Sequence, residues 1–143
     1  MVTADDEHLL TLGKKENGEP YQALVVDDSG FMVKNLVRML ESFDAEVLAT
    51  AENGKEAVDK VKELGDEIDF VTLDITMPEM DGITALDKML EIDPDLKVIM
   101  VSAMGQEDTV KKSVMKGAKH FIVKPFQRED VFGKLEKSIK GEG

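Results

Sequence analysis

Short apolar runs alternate along the chain with longer segments in which apolar residues recur at helical spacing. The runs occupy residues 23–26, 47–49, 70–73, 98–101 and 121–123. Runs of this length are typical of strands that are buried on both faces of a parallel sheet. We therefore predict one strand at each run.

The segments that follow the runs have the spacing of amphipathic helices. Their apolar faces are Leu36, Val37, Leu40 and Phe43; Ala57, Val58, Val61 and Leu64; Leu86, Met89 and Leu90; Val110 and Val114; and Val131, Leu135 and Ile139. Asn53 followed by Glu56 favours a helix start, and Gly117 favours a helix end. Strands that alternate with helices predict an α/β fold, a doubly wound five-stranded parallel sheet with five helices in a single domain.

The two ends of the chain lack this pattern. Residues 1–20 show no sustained period and finish with KKENGEP at 14–20, a composition that buries little surface. We expect them to form a flexible or loosely docked N-terminal extension. Residues 141–143 are expected to fray, which leaves a predicted domain at residues 21–140.

Composition and charge narrow the functional classes. The 143 residues include no Cys and carry a net charge of −12. Disulfide bonds, thiol chemistry and Cys-based metal sites are thereby excluded, and the acidic balance disfavours binding to nucleic acid. No apolar stretch reaches the roughly 20 residues that cross a membrane, and the acidic N-terminus does not resemble a secretory signal. We expect a cytoplasmic protein.

The residues that follow the predicted strands carry the candidate chemistry. Asp27 and Asp28 follow the first strand, Asp74 the third, Ser102 the fourth and Lys124 the fifth. Each alone has an ordinary explanation as a helix cap, a turn residue or an exposed lysine. Parallel strands bring their carboxyl ends to one edge, however, and carboxylates clustered there repel one another unless a cation is bound. Mg²⁺, which prefers oxygen ligands, suits such a cluster.

Together these residue types are suited to phosphoryl transfer. A carboxylate such as Asp74 can act as a nucleophile beside Mg²⁺ and form an acyl phosphate. The ammonium group of Lys124 would neutralise charge on the phosphoryl oxygens, and the Ser102 hydroxyl could donate one hydrogen bond. Asp74 needs no general base, because it is ionised at neutral pH.

Several motifs make the chain resemble the receiver domain of two-component response regulators, especially the stand-alone CheY type. They are VVDDS at 25–29, ENG at 52–54, LDITMPEMDG at 73–82, VSA at 101–103 and VKPF at 123–126. The resemblance covers residues 21–140. It implies the flavodoxin-like sheet of that family and a phosphoryl group carried on an Asp side chain.

The family pattern assigns roles to single residues. It implies that Asp74 is the phosphorylation site. Asp27 and Asp28 would hold Mg²⁺ together with Asp74, and the backbone carbonyl of Thr76 would be a further ligand.

The same pattern implies a conformational switch. Ser102 and Lys124 would bind the phosphoryl group, and Phe121 would move into space vacated near Ser102. That movement would remodel the fourth helix, the fifth strand and the fifth helix as an output face. Phe121 stands where the family often has Tyr, so a Tyr hydroxyl bond is lost, and a plain core aromatic is the alternative interpretation. Thr76 and Met104 flank the site and are expected to influence the lifetime of the phosphoryl group.

The resemblance also implies partners. We expect a sensor histidine kinase, first of all a chemotaxis kinase, as phosphoryl donor. The target would be a protein such as the flagellar motor switch, and a phosphatase would be a further partner. We predict a monomer that catalyses only its own phosphorylation and dephosphorylation. A phosphorelay intermediate is the alternative.

Other protein classes share parts of the pattern. A phosphatase of the haloacid dehalogenase type uses an Asp nucleophile but places a second Asp where this chain has Thr76. A flavodoxin-type electron carrier needs a first loop that accepts phosphate, which Asp27 and Asp28 would repel. A degenerate receiver that serves as a scaffold would not need the full set of acidic, hydroxyl and lysine residues.

Overall fold

A computed structural model describes residues 10–77 and 79–140. The expectations for residues 1–9 and for the frayed end at 141–143 lie outside the described residues. The strands are β1 (Gln22–Val26), β2 (Glu46–Ala51), β3 (Phe70–Asp74), β4 (Lys97–Ala103) and β5 (His120–Lys124). The helices are α1 (Gly30–Ser42), α2 (Gly54–Leu64), α3 (Gly82–Ile92), α4 (Glu107–Lys116) and α5 (Arg128–Lys140). Each predicted strand and helix is confirmed.

The strands form one parallel sheet in the order β2-β1-β3-β4-β5. Strand β3 lies between β1 and β4, with Leu73 opposite Val26 on one side and Asp74 opposite Val101 on the other. The predicted doubly wound sheet is therefore confirmed. Because the direction of winding reverses between β1 and β3, the carboxyl ends of these strands border an open crevice.

Side chains of each strand alternate between two apolar cores, as the geometry of a strand requires. In β1, Leu24 and Val26 face the core that is covered by α2, α3 and α4. Ala23 and Val25 face the core beneath α1 and α5. Burial on both faces explains why the strands are continuous apolar runs. Within the described ranges, no helix combines the length and the apolar character that a membrane crossing requires.

The apolar face predicted for the fourth helix is partly wrong. Val110 is buried, but Val114 is 46% exposed and Met115 is 87% exposed. The buried residue on the next turn is Ser113, whose hydroxyl donates to the Thr109 carbonyl oxygen at 2.9 Å. Helix α4 therefore meets the core along a narrow stripe and leaves apolar side chains outside.

The predicted cap of α2 is confirmed with one difference. The Asn53 side chain accepts a hydrogen bond from the Glu56 N–H at 2.8 Å. The Glu56 carboxylate reaches back to the N–H of Glu52 at 3.1 Å, one residue before the cap itself. Gly117, predicted to end the fourth helix, follows α4 with φ of 120°.

The described part of the N-terminal segment, residues 10–20, packs onto the domain. Leu12 is 1% exposed, and its N–H donates to the Phe43 carbonyl oxygen at 2.9 Å. A turn closed by the Gly18 N–H and the Lys15 carbonyl oxygen precedes β1, and Lys15 Nζ lies 3.0 Å from Asp69 Oδ2. Leu12, with Leu10 partly buried against the same core, therefore anchors the segment.

Leu12→Ala should lower the free energy of unfolding by about 2–5 kcal/mol, because it leaves a cavity in the core beneath α1 and α5. Urea unfolding followed by far-UV circular dichroism measures the change. Glu16→Ala, an exposed substitution in the same segment, is the control and should stay within about 0.5 kcal/mol of the parent. Equal stabilities of the two variants would contradict the docking of this segment.

Candidate functional site

Three carboxylates meet at the crevice between β1 and β3. Asp27 and Asp28 follow β1 directly, and Asp74 ends β3. One oxygen from each of the three lies within 4.8 Å of the others. Asp27 and Asp74 are 1% and 5% exposed, whereas Asp28 faces solvent. Oxygen donors at this spacing, open to water on one side, fit a divalent cation that keeps some of its water ligands.

Lys124 brings positive charge to the same place. Its Nζ lies 3.2 Å from Asp27 Oδ2 and 3.6 Å from Asp74 Oδ1. The other Asp27 oxygen accepts a hydrogen bond from the Ser29 N–H at 2.9 Å. Although Asp27 Oδ2 is within ion-pair distance of Lys124, no donor among the described residues is oriented to hydrogen-bond it. That buried oxygen therefore has capacity for a further ligand, as a cation site requires.

The pKa of Asp74 reflects this crowding. Burial, and then the charges of Asp27 and Asp28, raise it from 3.8 to about 6, against the lowering effects of Lys124 and of the Thr76 N–H. Without a cation, the folded state thus holds a proton more tightly than the unfolded chain. The free energy of unfolding should therefore fall as the pH rises from about 4 to about 6, the window between the two pKa values.

Ser102 adds a buried hydroxyl to the same edge of the sheet. It follows Val101, which lies opposite Asp74 in the register of β3 and β4. Its side chain is 1% exposed, and the Oγ atom has no hydrogen-bond partner in the described part of the chain. Because an unsatisfied buried hydroxyl is costly, such an atom is normally explained by a ligand or by water. A ligand rich in acceptor oxygens would satisfy it.

Two glycines position the loop that carries Asp74 into α3. The Gly54 N–H donates to the Met80 carbonyl oxygen at 3.1 Å, and the Gly82 N–H donates to the Ile75 carbonyl oxygen at 2.7 Å. A Cβ atom on Gly82 would lie 2.3 Å from the Asp74 carbonyl oxygen, and one on Gly54 would lie 2.3 Å from the Met80 carbonyl oxygen. Only residues without a side chain allow the loop to approach so closely.

The remaining predicted residues lie around this centre. Thr76 is exposed beside Asp74, and Met104 is 75% exposed on the loop after β4. Phe121 is half-buried, packs against the core beneath α2, α3 and α4, and lies under Lys134 Nζ, 5.0 Å from the ring centroid. Phe121 lines a groove of about 800 Å³ together with Ser102 and the exposed α4 residues Val114 and Met115.

Gln106 is a residue that sequence reasoning missed. Its Oε1 accepts a hydrogen bond from the Ala103 N–H at 2.6 Å, and its Nε2 donates to Thr76 Oγ1 at 2.9 Å. The side chain therefore joins the loop after β3 to the loop after β4. No motif, charge or period marks Gln106, because the contact depends on how two loops from distant parts of the chain lie side by side.

Comparison with known proteins gives one family. The model of the response regulator receiver domain matches residues 23–136. The chemotaxis protein CheY of Treponema pallidum is 48% identical over 128 residues, which make up 90% of this chain and 89% of that protein. CheY of Listeria monocytogenes is 53% identical over 117 residues, 82% of this chain and 97% of that protein. A chain in the crystal structure of the CheX–CheY–BeF₃–Mg²⁺ complex from Borrelia burgdorferi superposes with a TM-score of 0.81 at 48% identity, covering 84% of this chain and 90% of that chain.

Gly82→Ala should destabilise the fold by about 1–3 kcal/mol, because the new methyl group forces the backbone at Asp74 to shift. Gly133→Ala is the matched control, since a Cβ there meets open space and Ala favours the interior of α5 by about 0.5–1 kcal/mol. Urea unfolding of the two variants gives the comparison. A Gly82→Ala protein as stable as the Gly133→Ala protein would show that the close approach of α3 to Asp74 is not a constraint.

Proposed function

Because the chain belongs to the response regulator receiver family, we propose that it accepts a phosphoryl group from a histidine kinase onto Asp74. The observation that carries this proposal is the acidic cluster of Asp27, Asp28 and Asp74, partly buried, with Lys124 in contact with it. A carboxylate nucleophile, donors for a hard cation and one ammonium group are what phosphoryl transfer to an acid requires. The phosphorylated protein then signals by binding another protein.

Mg²⁺ is the cation that suits the cluster. Carboxylate oxygens of Asp27, Asp28 and Asp74 would hold it, and the Thr76 carbonyl would be a further ligand. Bound there, it would neutralise charge on the transferred phosphoryl group. The exposed side of Asp28 leaves the crevice open for the phosphoryl donor.

The transfer forms one bond and breaks one. A carboxylate oxygen of Asp74 attacks phosphorus and forms an acyl phosphate, while the bond from phosphorus to the imidazole nitrogen of the donor breaks. That nitrogen keeps the bonding electron pair, and solvent supplies the proton it takes up. With a pKa of about 6, Asp74 is largely ionised at neutral pH and needs no base to activate it.

Lys124 and Ser102 would bind the new group. Lys124 already contacts Asp27 and Asp74, and a phosphoryl group of two negative charges is a stronger partner for its ammonium than either carboxylate. The buried Ser102 hydroxyl, which has no partner among the described residues, would gain an acceptor. A shift of Ser102 toward Asp74 would open space for Phe121 and change the groove that both residues line.

Chemotaxis is the pathway that best fits this protein, because its relatives named CheY match over most of their length. A chemotaxis kinase would supply the phosphoryl group, and a target such as the flagellar motor switch would bind the phosphorylated form. The Borrelia complex of CheY with CheX supports a further protein partner, for which a phosphatase is our proposal. A phosphorelay intermediate is the alternative. A monomeric state, a cytoplasmic location and the absence of turnover on external substrates stay predictions.

Acetyl phosphate with Mg²⁺ should add one phosphoryl group to the protein, which intact-protein mass spectrometry detects. Chelation of Mg²⁺ by EDTA should prevent the addition, because the approaching phosphate then meets unshielded carboxylates. Asp74→Asn should abolish it, because the nucleophilic oxygen is lost.

Asp81→Asn is the matched control for this experiment. Asp81 lies on the same loop and caps α3 by accepting the Thr84 N–H at 2.9 Å, and Asn can make the same bond. The Asp81→Asn protein should be labelled like the parent. Equal labelling of the Asp74→Asn protein would show that Asp74 is not the acceptor.

A further inference from the structure

Gln106 has a side chain whose hydrogen-bonding groups are both used between loops. It is the cap residue before α4, yet its side chain makes no capping bond to that helix. Its Oε1 is held by the Ala103 N–H at 2.6 Å and its Nε2 by Thr76 Oγ1 at 2.9 Å. We refer to this pair of bonds as the Gln106 bridge. The bridge is therefore not explained by helix capping.

The two residues that Gln106 joins, Thr76 and Ala103, lie close in sequence to Asp74 and Ser102. Thr76 lies two residues after Asp74, and its backbone N–H acts to lower the pKa of the Asp74 carboxyl. Ala103 follows Ser102 directly, so the peptide that carries the Ala103 N–H also carries the Ser102 carbonyl. A shift of the Ser102 backbone toward Asp74 moves this peptide and strains its 2.6 Å bond to Gln106.

Gln106 also reaches the groove beside α4. Together with Met104, Val110 and Phe121 it lines that groove of about 800 Å³. The Gln106 side chain therefore contacts the loop after β3, the peptide that follows Ser102 and the groove beside α4. A change at Asp74 that breaks the bridge frees the loop at residues 103–106 and, with it, the start of α4.

We propose that Gln106 is a positioning residue that holds the loops after β3 and β4 in their unphosphorylated arrangement and so opposes the movement of Ser102 toward Asp74. This role rests on the proposed function of Asp74 as the phosphoryl acceptor. Binding of a phosphoryl group then requires the Gln106 bridge to open. Removing the bridge favours the phosphorylated arrangement, because part of the cost of reaching it has been removed.

Gln106→Ala should raise the affinity for beryllofluoride, a phosphoryl mimic, by about 3- to 10-fold at saturating Mg²⁺, the effect of losing one or two ordinary hydrogen bonds. Isothermal titration calorimetry measures the affinity. Hydrogen exchange followed by NMR should show faster exchange of the Ala103 amide in the Mg²⁺-free variant, because its acceptor is gone. Gln127→Ala, an exposed substitution before α5, is the matched control and should change neither quantity.

Thr76→Val provides a second test in which Gln106 itself is kept. Val is close to Thr in shape but cannot accept the Gln106 Nε2–H, so this variant should also bind beryllofluoride more tightly. In the double variant the two effects should not add, because both remove one bridge. Thr76→Ser, which retains the hydroxyl, should bind beryllofluoride less tightly than Thr76→Val.

The outcomes separate the role of Gln106 from the role of Asp74. A parent protein that fails to bind beryllofluoride with Mg²⁺ overturns the proposed acceptor and the role of Gln106 with it. Binding by the parent with equal or lower affinity in Gln106→Ala overturns the role of Gln106 alone. Unchanged exchange of the Ala103 amide in Gln106→Ala, or additive effects of the two substitutions, overturns it as well.

Discussion

Repulsion among Asp27, Asp28 and Asp74, offset only in part by Lys124, is the interaction on which the site depends. Two of these carboxylates are buried, and burial removes the water that would otherwise screen them. One lysine within 3.6 Å of two of them leaves an excess of negative charge. The electrostatics of the site therefore favour a bound cation.

The fold maintains this crowded arrangement because the sheet brings the ends of β1 and β3 together. The order β2-β1-β3-β4-β5 makes these strands neighbours. Lys124, at the end of β5, and Ser102, near the end of β4, lie at the same edge of the sheet. Two apolar cores, one on each face of the sheet, hold the strands in register. Gly82, which packs against the Asp74 backbone, then limits how far the loop after β3 can relax.

The sequence predicted the strands and the residues at their ends, because buried parallel strands are short apolar runs and ligand-binding residues follow them. It did not predict features that depend on contacts between distant segments. Leu12 lies in a segment without a sustained apolar period, and its burial depends on where the end of α1 lies. Helical spacing assigned Val114 to the core, but α4 meets the core mainly through Val110 and the small Ser113. The Gln106 bridge depends on two loops that no sequence period relates.

The most direct test of the account is a titration of the Asp74 side-chain carboxyl by ¹³C NMR, with and without saturating Mg²⁺. Without Mg²⁺ its pKa should be about 6, because burial and the neighbouring carboxylates favour the protonated form. With Mg²⁺ bound, the pKa should fall well below that value, because the cation stabilises the carboxylate. A pKa near the ordinary 3.8 that does not respond to Mg²⁺ would contradict the account.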